Sequence, residues 1–193
     1  MDFGTIAINV ATRLIRPDKA DEIKDAINDA IEYCTVNGSF SADLVEDSVA
    51  VDSTVYSQSI VISTTFTRFR KIKYIKPDGY YKLLGWRDPA RVFDDKGNAC
   101  KDVWYRAGDN IVLNLSTLVD TVYYGYYQFP ARMTLDADTH WMLTYMYSVI
   151  FNYACADIWE SIGNAEEASR YRAMADRYFI SHRKDHMDGV DLG

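Results

Sequence analysis

Residues 141–156 contain no charged side chain, and most of them are large and apolar. Their polar stripe is narrow and consists of three residues spaced four apart: Thr144, Ser148 and Asn152. A helix that is apolar nearly all round either is buried inside a protein or spans a membrane. A membrane span needs about 20 apolar residues, whereas this stretch is shorter, rich in tyrosine and bounded by Asp138 and Asp157. The sequence therefore predicts a buried helix, which other elements must surround.

Two amphipathic helices are predicted before residue 40. Residues 5–15 carry apolar side chains four residues apart, which makes one helical stripe. Pro17 breaks or restarts the helix, and Asp18 can cap a second one. That second helix should end at Asn37-Gly38, and its apolar positions follow the spacing of a helix face: Ile23, Ala26, Ile27, Ala30, Ile31 and Cys34.

Two further helices are predicted after residue 130. Asp136 or Asp138 is expected to cap the uncharged helix, which runs to about Ile162. Gly163-Asn164 predicts a tight turn into a last helix over residues 165–184, so the two form an antiparallel pair. Short amphipathic helices are not stable alone, and packing all four together predicts a bundle.

Between the helical segments, residues 41–130 are typical of β structure. Residues 57–65, 68–75 and 121–129 are rich in β-branched and aromatic side chains, and turn sequences separate five to seven short strands: Pro77-Asp78-Gly79, Asp94–Asn98 and Gly108-Asp109-Asn110. Gly125, inside the last strand, indicates a bulge or a close approach of backbone. The predicted fold class is α+β: a four-helix bundle from residues 1–40 and 131–193, with an inserted β-rich domain over 41–130.

Composition excludes several classes of protein. The chain has 21 Lys and Arg against 28 Asp and Glu, a net charge of −7, whereas a general nucleic-acid-binding protein would be basic. Three widely spaced cysteines, Cys34, Cys100 and Cys155, argue against a disulfide scaffold and against a structural zinc site. The first residues do not form a secretory signal. We therefore expect a protein made and kept reduced in a cytoplasm.

No sequence motif for catalysis or phosphate binding is found. His182 and His186 are four apart on one helix, but a structural metal site requires four ligands. The acidic pairs Asp94-Asp95 and Glu166-Glu167 lack the separation across a cleft that a glycosidase requires. The sequence predicts no catalytic residue, no cofactor and no metal, and hence a protein that is not an enzyme.

The charges of the β-rich segment are arranged in blocks. Residues 41–67 contain four acidic residues and no Lys or Arg, and a basic run follows at once: Arg68, Arg70, Lys71, Lys73 and Lys76. Strand alternation places Lys71 and Lys73 on one face and the other three on the opposite face. Two interpretations remain open. The blocks can form a head-to-tail contact between subunits, or the lysines can guard a solvated edge strand.

The strand Thr121–Phe129 has more tyrosine than a small core requires, including Tyr124 and Tyr126. Such side chains are typical of protein interfaces and of sugar-binding grooves. They also suit packing between the β-rich segment and the helices. These alternatives remain open from the sequence.

The whole layout resembles the head-to-tail adaptor proteins of tailed bacteriophages, also called tail accessory or head completion proteins, especially those of short-tailed phages. The resemblance lies in "DAINDAIEYC" of the second helix, in a variable insert that ends in "YYQFP", and in "IWESIGNAEEASRYRAMADRYF" of the last helices. It implies a virion protein that forms a ring, typically of about twelve copies, beneath the portal. It also implies that the ring extends the DNA channel and carries the tail nozzle and fibres.

The resemblance implies a set of partners: portal protein, tail nozzle and fibre proteins, other copies of the chain, and double-stranded DNA that passes without specific binding. No membrane contact is expected. The predicted interface residues are Arg68, Arg70, Lys71, Lys73, Tyr124, Tyr126, Arg183 and Lys184. The alternatives are a carbohydrate-binding module with a Tyr- and Trp-rich β surface, or a cell-wall hydrolase. The helical frame favours the adaptor, because sugar-binding modules are usually self-contained β domains.

Overall fold

The structure is a computed structural model, and it describes residues 1–38, 40–61, 66–94 and 101–187. The chain is a mixed α+β protein, as predicted. It divides into two compact units, one formed by residues 1–43 and 129–193 and the other by residues 44–128. We call the first the helical unit and the second the β unit.

Helices dominate the first unit, and one short helix lies in the second. Their bounds are α1 (Phe3–Leu14), α2 (Ala20–Gly38), α3 (Pro89–Asp94), α4 (Trp141–Tyr145), α5 (Tyr147–Ser161) and α6 (Ala165–Met187). Short 3-10 turns precede α2 and the β unit, at Pro17–Lys19 and Ser41–Asp43. No helix within the described ranges has both the length and the apolar character that crossing a bilayer requires.

The uncharged stretch is buried, as predicted, but it is not one helix. Met146 leaves the helical conformation (φ −120°, ψ 28°) and separates α4 from α5. Residue 146 is neither Pro nor Gly, so no helix-breaking residue marks this position in the sequence. Most of α5 is enclosed by protein, including Val149, Ile150 and the Ala154–Ala156 segment.

The predicted N-terminal cap of this region is wrong. His140 caps α4, because its Nδ1 accepts a hydrogen bond from the Met142 N–H at 3.3 Å. Asp138 instead accepts from the backbone N–H groups of Thr134 and Leu135, at 2.7 and 2.8 Å, and closes a turn before the helix. Asp136 forms an ion pair with Lys24 of α2 at 2.6 Å.

The ends of the first two helices have local causes. Asp2 caps α1 by accepting from the Thr5 N–H at 2.7 Å, so α1 begins two residues earlier than predicted. The predicted stop at Asn37-Gly38 is confirmed. A Cβ on Gly38 would collide with the ring of Phe40, so only glycine lets the chain turn over that buried ring.

One hydrophobic cluster joins the helical unit. Its fully buried members come from α1, α2, α4 and α5, for example Phe3, Ile6, Ile23, Ile27, Leu143 and Ile150. From α6 it includes Tyr171, Ala175 and Phe179. Asn28 is buried in α2, and its side chain donates to the Met133 carbonyl and accepts from the Met133 N–H. This pair of hydrogen bonds fixes the segment before α4 against α2.

The β unit contains two four-stranded sheets. The first has the order β1-β8-β3-β4 and the second β2-β7-β6-β5. The strands are β1 (Leu44–Ala50), β2 (Ser57–Val61), β3 (Phe66–Ile75), β4 (Tyr81–Leu83), β5 (Gly85–Trp86), β6 (Val103–Ala107), β7 (Asn110–Asn114) and β8 (Thr121–Gln128). The predicted hairpin around residues 108–110 is confirmed by the antiparallel pairing of β6 with β7. The short β5 and α3 were not predicted from the sequence, and residues 95–98 of a predicted turn lie outside the described part.

Apolar side chains from both sheets share one core. It includes Ile72 and Val122 from the first sheet and Ile60, Ile111 and Leu113 from the second. A buried polar cluster lies beside it. The Tyr74 hydroxyl donates to Asp102 Oδ1 at 2.7 Å and lies 3.1 Å from Ser116 Oγ. This cluster links a strand of the first sheet to the connections of the second.

Candidate functional site

The basic residues of β3 follow a different alternation from the one predicted. Phe69 lies opposite Tyr126 and Lys71 lies opposite Gly125, so Arg70 is an extra residue at a bulge. Lys71 and Lys73 share one face of the sheet, as predicted, with Gly125 and Tyr123 opposite them. Arg70 is exposed at the bulge.

Lys71 and Lys73 lie above a shallow depression on the outer face of the first sheet. Lys71 Nζ is 3.9 Å from Glu46 Oε1, and Lys73 Nζ is 4.6 Å from the centre of the Tyr81 ring. Gly125 forms part of the lining of the depression. A Cβ on Gly125 would approach Leu44 no closer than 3.7 Å, so this glycine marks a bulge in the facing strand rather than a close backbone approach.

Tyr124 and Tyr126 are half-buried beside Phe69. Their rings stack at 5.9 Å, and both ring centres lie 6.1 Å from that of Phe69. The Tyr124 hydroxyl donates to Asp47 Oδ2 at 3.3 Å. Burial and the nearby Asp47 carboxylate raise the pKa of Tyr124. Part of each ring remains accessible, so an interface role for these two tyrosines stays a prediction.

Among the β-unit residues whose side chains the structure describes, the most exposed aromatic ones lie around β4 and β5, where no site was predicted. Tyr80 is 73% exposed, Tyr81 62% and Trp86 61%. This segment forms one outer strand of each sheet. The signal in the sequence is the run "GYYKLLGW", in which apolar residues do not alternate with polar ones and so cannot all face one core.

Three predicted residues remain: Arg68, Arg183 and Lys184. Arg183 is exposed near the end of α6, in the helical unit. Lys184 also belongs to α6, but its side chain lies outside the described part. The side chain of Arg68 lies outside it as well, whereas the Arg68 backbone pairs with Tyr127 in the first sheet.

The helical unit has its own charged and apolar surfaces. Arg132 is surrounded by carboxylates of α2, at 2.9 Å from Asp29, 3.4 Å from Asp25 and 3.7 Å from Glu32. Hydrogen bonds and charge attraction from Asp29 and Asp25 raise the pKa of Arg132. On another surface, between α1 and α2, small and apolar residues line an open groove that includes the exposed Ile8 and Ile15.

The two described cysteines are not suited to nucleophilic catalysis. Cys34 and Cys155 are buried free thiols, and burial raises the pKa of both, that of Cys155 to about 12. Both therefore remain protonated and poorly nucleophilic at neutral pH. Among residues 1–38, 40–61, 66–94 and 101–187, no group of three or more His, Cys, Asp or Glu side chains could hold a metal ion.

The chain thus combines a helical unit with a β insert that carries charged and aromatic side chains on its surface. The comparison with known families identifies it more closely. Residues 1–191 match the family described as SU10 adaptor protein, and the chain belongs to that family of phage head-tail adaptors. The resemblance found in the sequence is confirmed. A search of curated proteins finds no match.

Proposed function

We propose that the chain is a structural virion protein that forms a ring between the portal and the tail. The ring extends the DNA channel and carries the tail nozzle and fibres. The observation that supports this most is the family match over residues 1–191, which covers the helical unit and the insert alike. A closed ring of about twelve copies is the assembly we propose.

The two units have separate tasks in this proposal. Helices α1, α2, α5 and α6 act as a four-helix bundle, formed by residues 1–40 and 131–193, that serves as a stiff frame. The inserted residues 41–130 supply contacts between subunits. The extensive burial of α5 supports the first task, because a well-packed core keeps its shape when its surface is loaded.

The contact residues that we propose are the predicted set, with the basic strand β3 at its centre. Lys71 and Lys73 lie on one accessible face near the acidic Glu46, and Arg70 is exposed beside them. Tyr124, Tyr126, Arg68, Arg183 and Lys184 complete the set. Portal, nozzle and fibre proteins are the proposed partners.

The net charge of −7 supports a passive role toward DNA. A channel wall that repels phosphate lets double-stranded DNA slide without specific binding. We propose that the protein has no enzymatic activity, is made in the host cytoplasm and resides at the head-to-tail interface of the virion.

Light scattering tests the proposal directly. The mass of the purified chain is measured alone and after mixing with the portal protein of the same virus. We expect a joint complex with many copies of the chain on each portal ring. A monomer that does not bind the portal would contradict the adaptor role.

A charge-reversed variant, Arg70→Glu with Lys73→Glu, tests the contact residues in the same assay. Repulsion at a charge-paired interface should weaken assembly. Reversal of Lys19 in the helical unit, which pairs with Glu22 of its own chain at 2.6 Å, is the matched control. Unchanged assembly of the double variant would remove β3 from the interface.

A further inference from the structure

Two strands of the first sheet have a neighbour on one side only. Among the described residues, β1 pairs with β8 and β4 pairs with β3, so β1 and β4 are the outer strands. An outer strand presents unpaired N–H and C=O groups that can pair with a strand of another chain. Each copy of the protein therefore carries two edge strands on one sheet to which another chain could add a strand.

The backbone pattern shows which groups do not bond to the neighbouring strand of the sheet. The Val51 N–H donates to the Asp120 carbonyl at 2.9 Å, so alternate residues of β1 bond to β8 and those between them face outward. Ser48 is one of the outward residues, and its N–H donates to Asp47 Oδ1 of its own strand at 2.7 Å. In β4 the bonds from Lys76 to Tyr80 and from Leu84 to Ile72 leave Tyr81 and Leu83 facing outward by the same alternation.

The two outer strands carry opposite charge. We call β1 the acidic edge, because Glu46 and Asp47 are exposed on it. We call β4 and its flanking residues the basic edge, because Lys76, Lys82 and Arg87 lie there. Residues 41–67 hold four acids and no base, whereas residues 68–91 hold eight basic and two acidic residues. Lys76 and Arg87 form no ion pair within the described part of the chain.

The basic edge also exposes large apolar side chains to solvent, which is unfavourable. Tyr81 and Leu83, the outward residues of β4, have exposed side chains, as do Tyr80 and Trp86 beside them. Natural outer strands are usually protected by charge, proline or covering loops. A cluster of exposed aromatic and aliphatic side chains beside unpaired backbone is typical of an interface.

We propose that the basic edge of one copy pairs with the acidic edge of the next, so that the first sheets of neighbouring subunits join. This inference rests on the proposed ring and names the contact that builds it. The strands β1, β8, β3 and β4 are each antiparallel to the next, so β4 runs opposite to β1. A copy related by a small rotation therefore offers β1 in antiparallel orientation to β4, and the joined sheet stays antiparallel throughout.

Such a contact is heterologous, because two different surfaces meet. Subunits joined by a heterologous contact close into a ring when the rotation from one subunit to the next is a whole-number fraction of a full turn. Main-chain hydrogen bonds supply affinity, as in other cases of strand addition. The opposite charges select the partner edge and disfavour pairing of β1 with β1 or of β4 with β4.

Proline substitution tests the backbone pairing. Leu83→Pro removes an outward N–H without removing a bond of the sheet, and proline is tolerated on outer strands. Ser59→Pro in β2 is the matched control, because the Leu115 to Tyr56 bond leaves residue 59 facing outward on the second sheet. Ring formation, alone or on the portal, is measured by sedimentation and light scattering. We expect at least about a tenfold weaker association for Leu83→Pro and none of this loss for Ser59→Pro.

Charge exchange tests the partner choice. Glu46→Lys with Asp47→Lys, and Lys76→Glu with Arg87→Glu, should each weaken association at least about tenfold. A chain that carries all four substitutions should recover most of it, because the two edges are again opposite. Thermal unfolding of every variant checks that the β unit is folded, and hydrogen exchange of Ser48 and Leu83 amides should slow on assembly of the original chain.

The outcomes separate the two proposals. If the original chain neither associates with itself nor binds the portal, the adaptor ring and this contact both fail. If it forms rings and the folded edge variants form them equally well, the edge pairing is wrong while the adaptor function stands. Rings of the edge variants that assemble normally but fail to bind tail proteins would show that another protein occupies these strands, which also overturns the proposal.

Discussion

The Tyr74 hydroxyl should contribute measurably to the stability of the β unit. Tyr74 is fully buried, and its hydroxyl donates to the Asp102 carboxylate at 2.7 Å and lies 3.1 Å from Ser116 Oγ. The substitution Tyr74→Phe keeps the ring and removes only the hydroxyl. A hydrogen bond to a charged group contributes about 1.5–3 kcal/mol, and water cannot replace it at a fully buried position. We therefore expect a loss of about 2–3 kcal/mol in the free energy of unfolding.

The same substitution should alter the response to acid. Burial raises the pKa of Asp102, but hydrogen bonds from Tyr74 and Ser116 lower it by more, so its pKa in the folded protein is below the usual 3.8. The folded state therefore gains stability from this carboxylate above pH 3.8 and loses it as the pH falls through the lowered pKa. Tyr74→Phe removes one of the groups that lower the pKa, so less stability should be lost on acidification.

Chemical denaturation at pH 7 and at about pH 2, below the usual Asp pKa of 3.8, measures both effects. Hydrogen exchange in β3 and β8 assigns the change to the β unit, since two units can unfold separately. Tyr80→Phe is the matched control, because its side chain is largely exposed. A loss for Tyr74→Phe below about 0.5 kcal/mol, the range of ordinary surface substitutions, would refute the structural role of this hydroxyl.

Three further predictions concern the helical unit. Ile150→Ala, at a fully buried position of α5, should reduce the free energy of unfolding by about 2–5 kcal/mol in a denaturant titration. The control Ile8→Ala, at an exposed position of α1, should change that free energy by less than about 0.5 kcal/mol. Gly38→Ala should cost about 1–3 kcal/mol in thermal unfolding, because the added Cβ collides with the Phe40 ring. Burial lowers the pKa of His140 below 6.5, and its Nδ1 must be unprotonated to cap α4. The stability that this cap contributes is therefore present above pH 6.5 and is lost as the pH falls below that value. His140→Asn caps the helix without titrating, so it should remove this loss from a profile of unfolding free energy measured between pH 5 and 8.

The sequence predicted best what depends on the periodicity of apolar residues. The apolar faces of α1 and α2, the stop at Gly38 and the burial of α5 all follow from spacing that a helix imposes. The break at Met146 could not be predicted in this way, because methionine has good helix propensity and the apolar pattern continues across it. The cap by His140 was missed because two aspartates nearby are better caps by residue type.

The β unit shows a different limit. The bulge at Arg70 shifts the faces of β3 by one position, and a shift of this kind depends on the partner strand β8 rather than on β3 alone. The exposed aromatic residues of β4 and β5 were overlooked because the strands are only three and two residues long, too short to show alternation. The acidic and basic blocks were visible in the sequence, but only the strand order shows that the acidic β1 lies at one edge of the first sheet, while the basic β3 lies beside β4 at the other edge.

The pairing of β1 with β8 has a consequence for how such a protein can change during evolution. Leu44, the first residue of the β unit, lies directly opposite Tyr127, one residue before its last. The chain thus leaves and re-enters the helical unit through two adjacent strands, about 5 Å apart. Asp43 and Phe129 are therefore the two positions, at the base of these paired strands, at which a shorter or longer insert would join the helical unit.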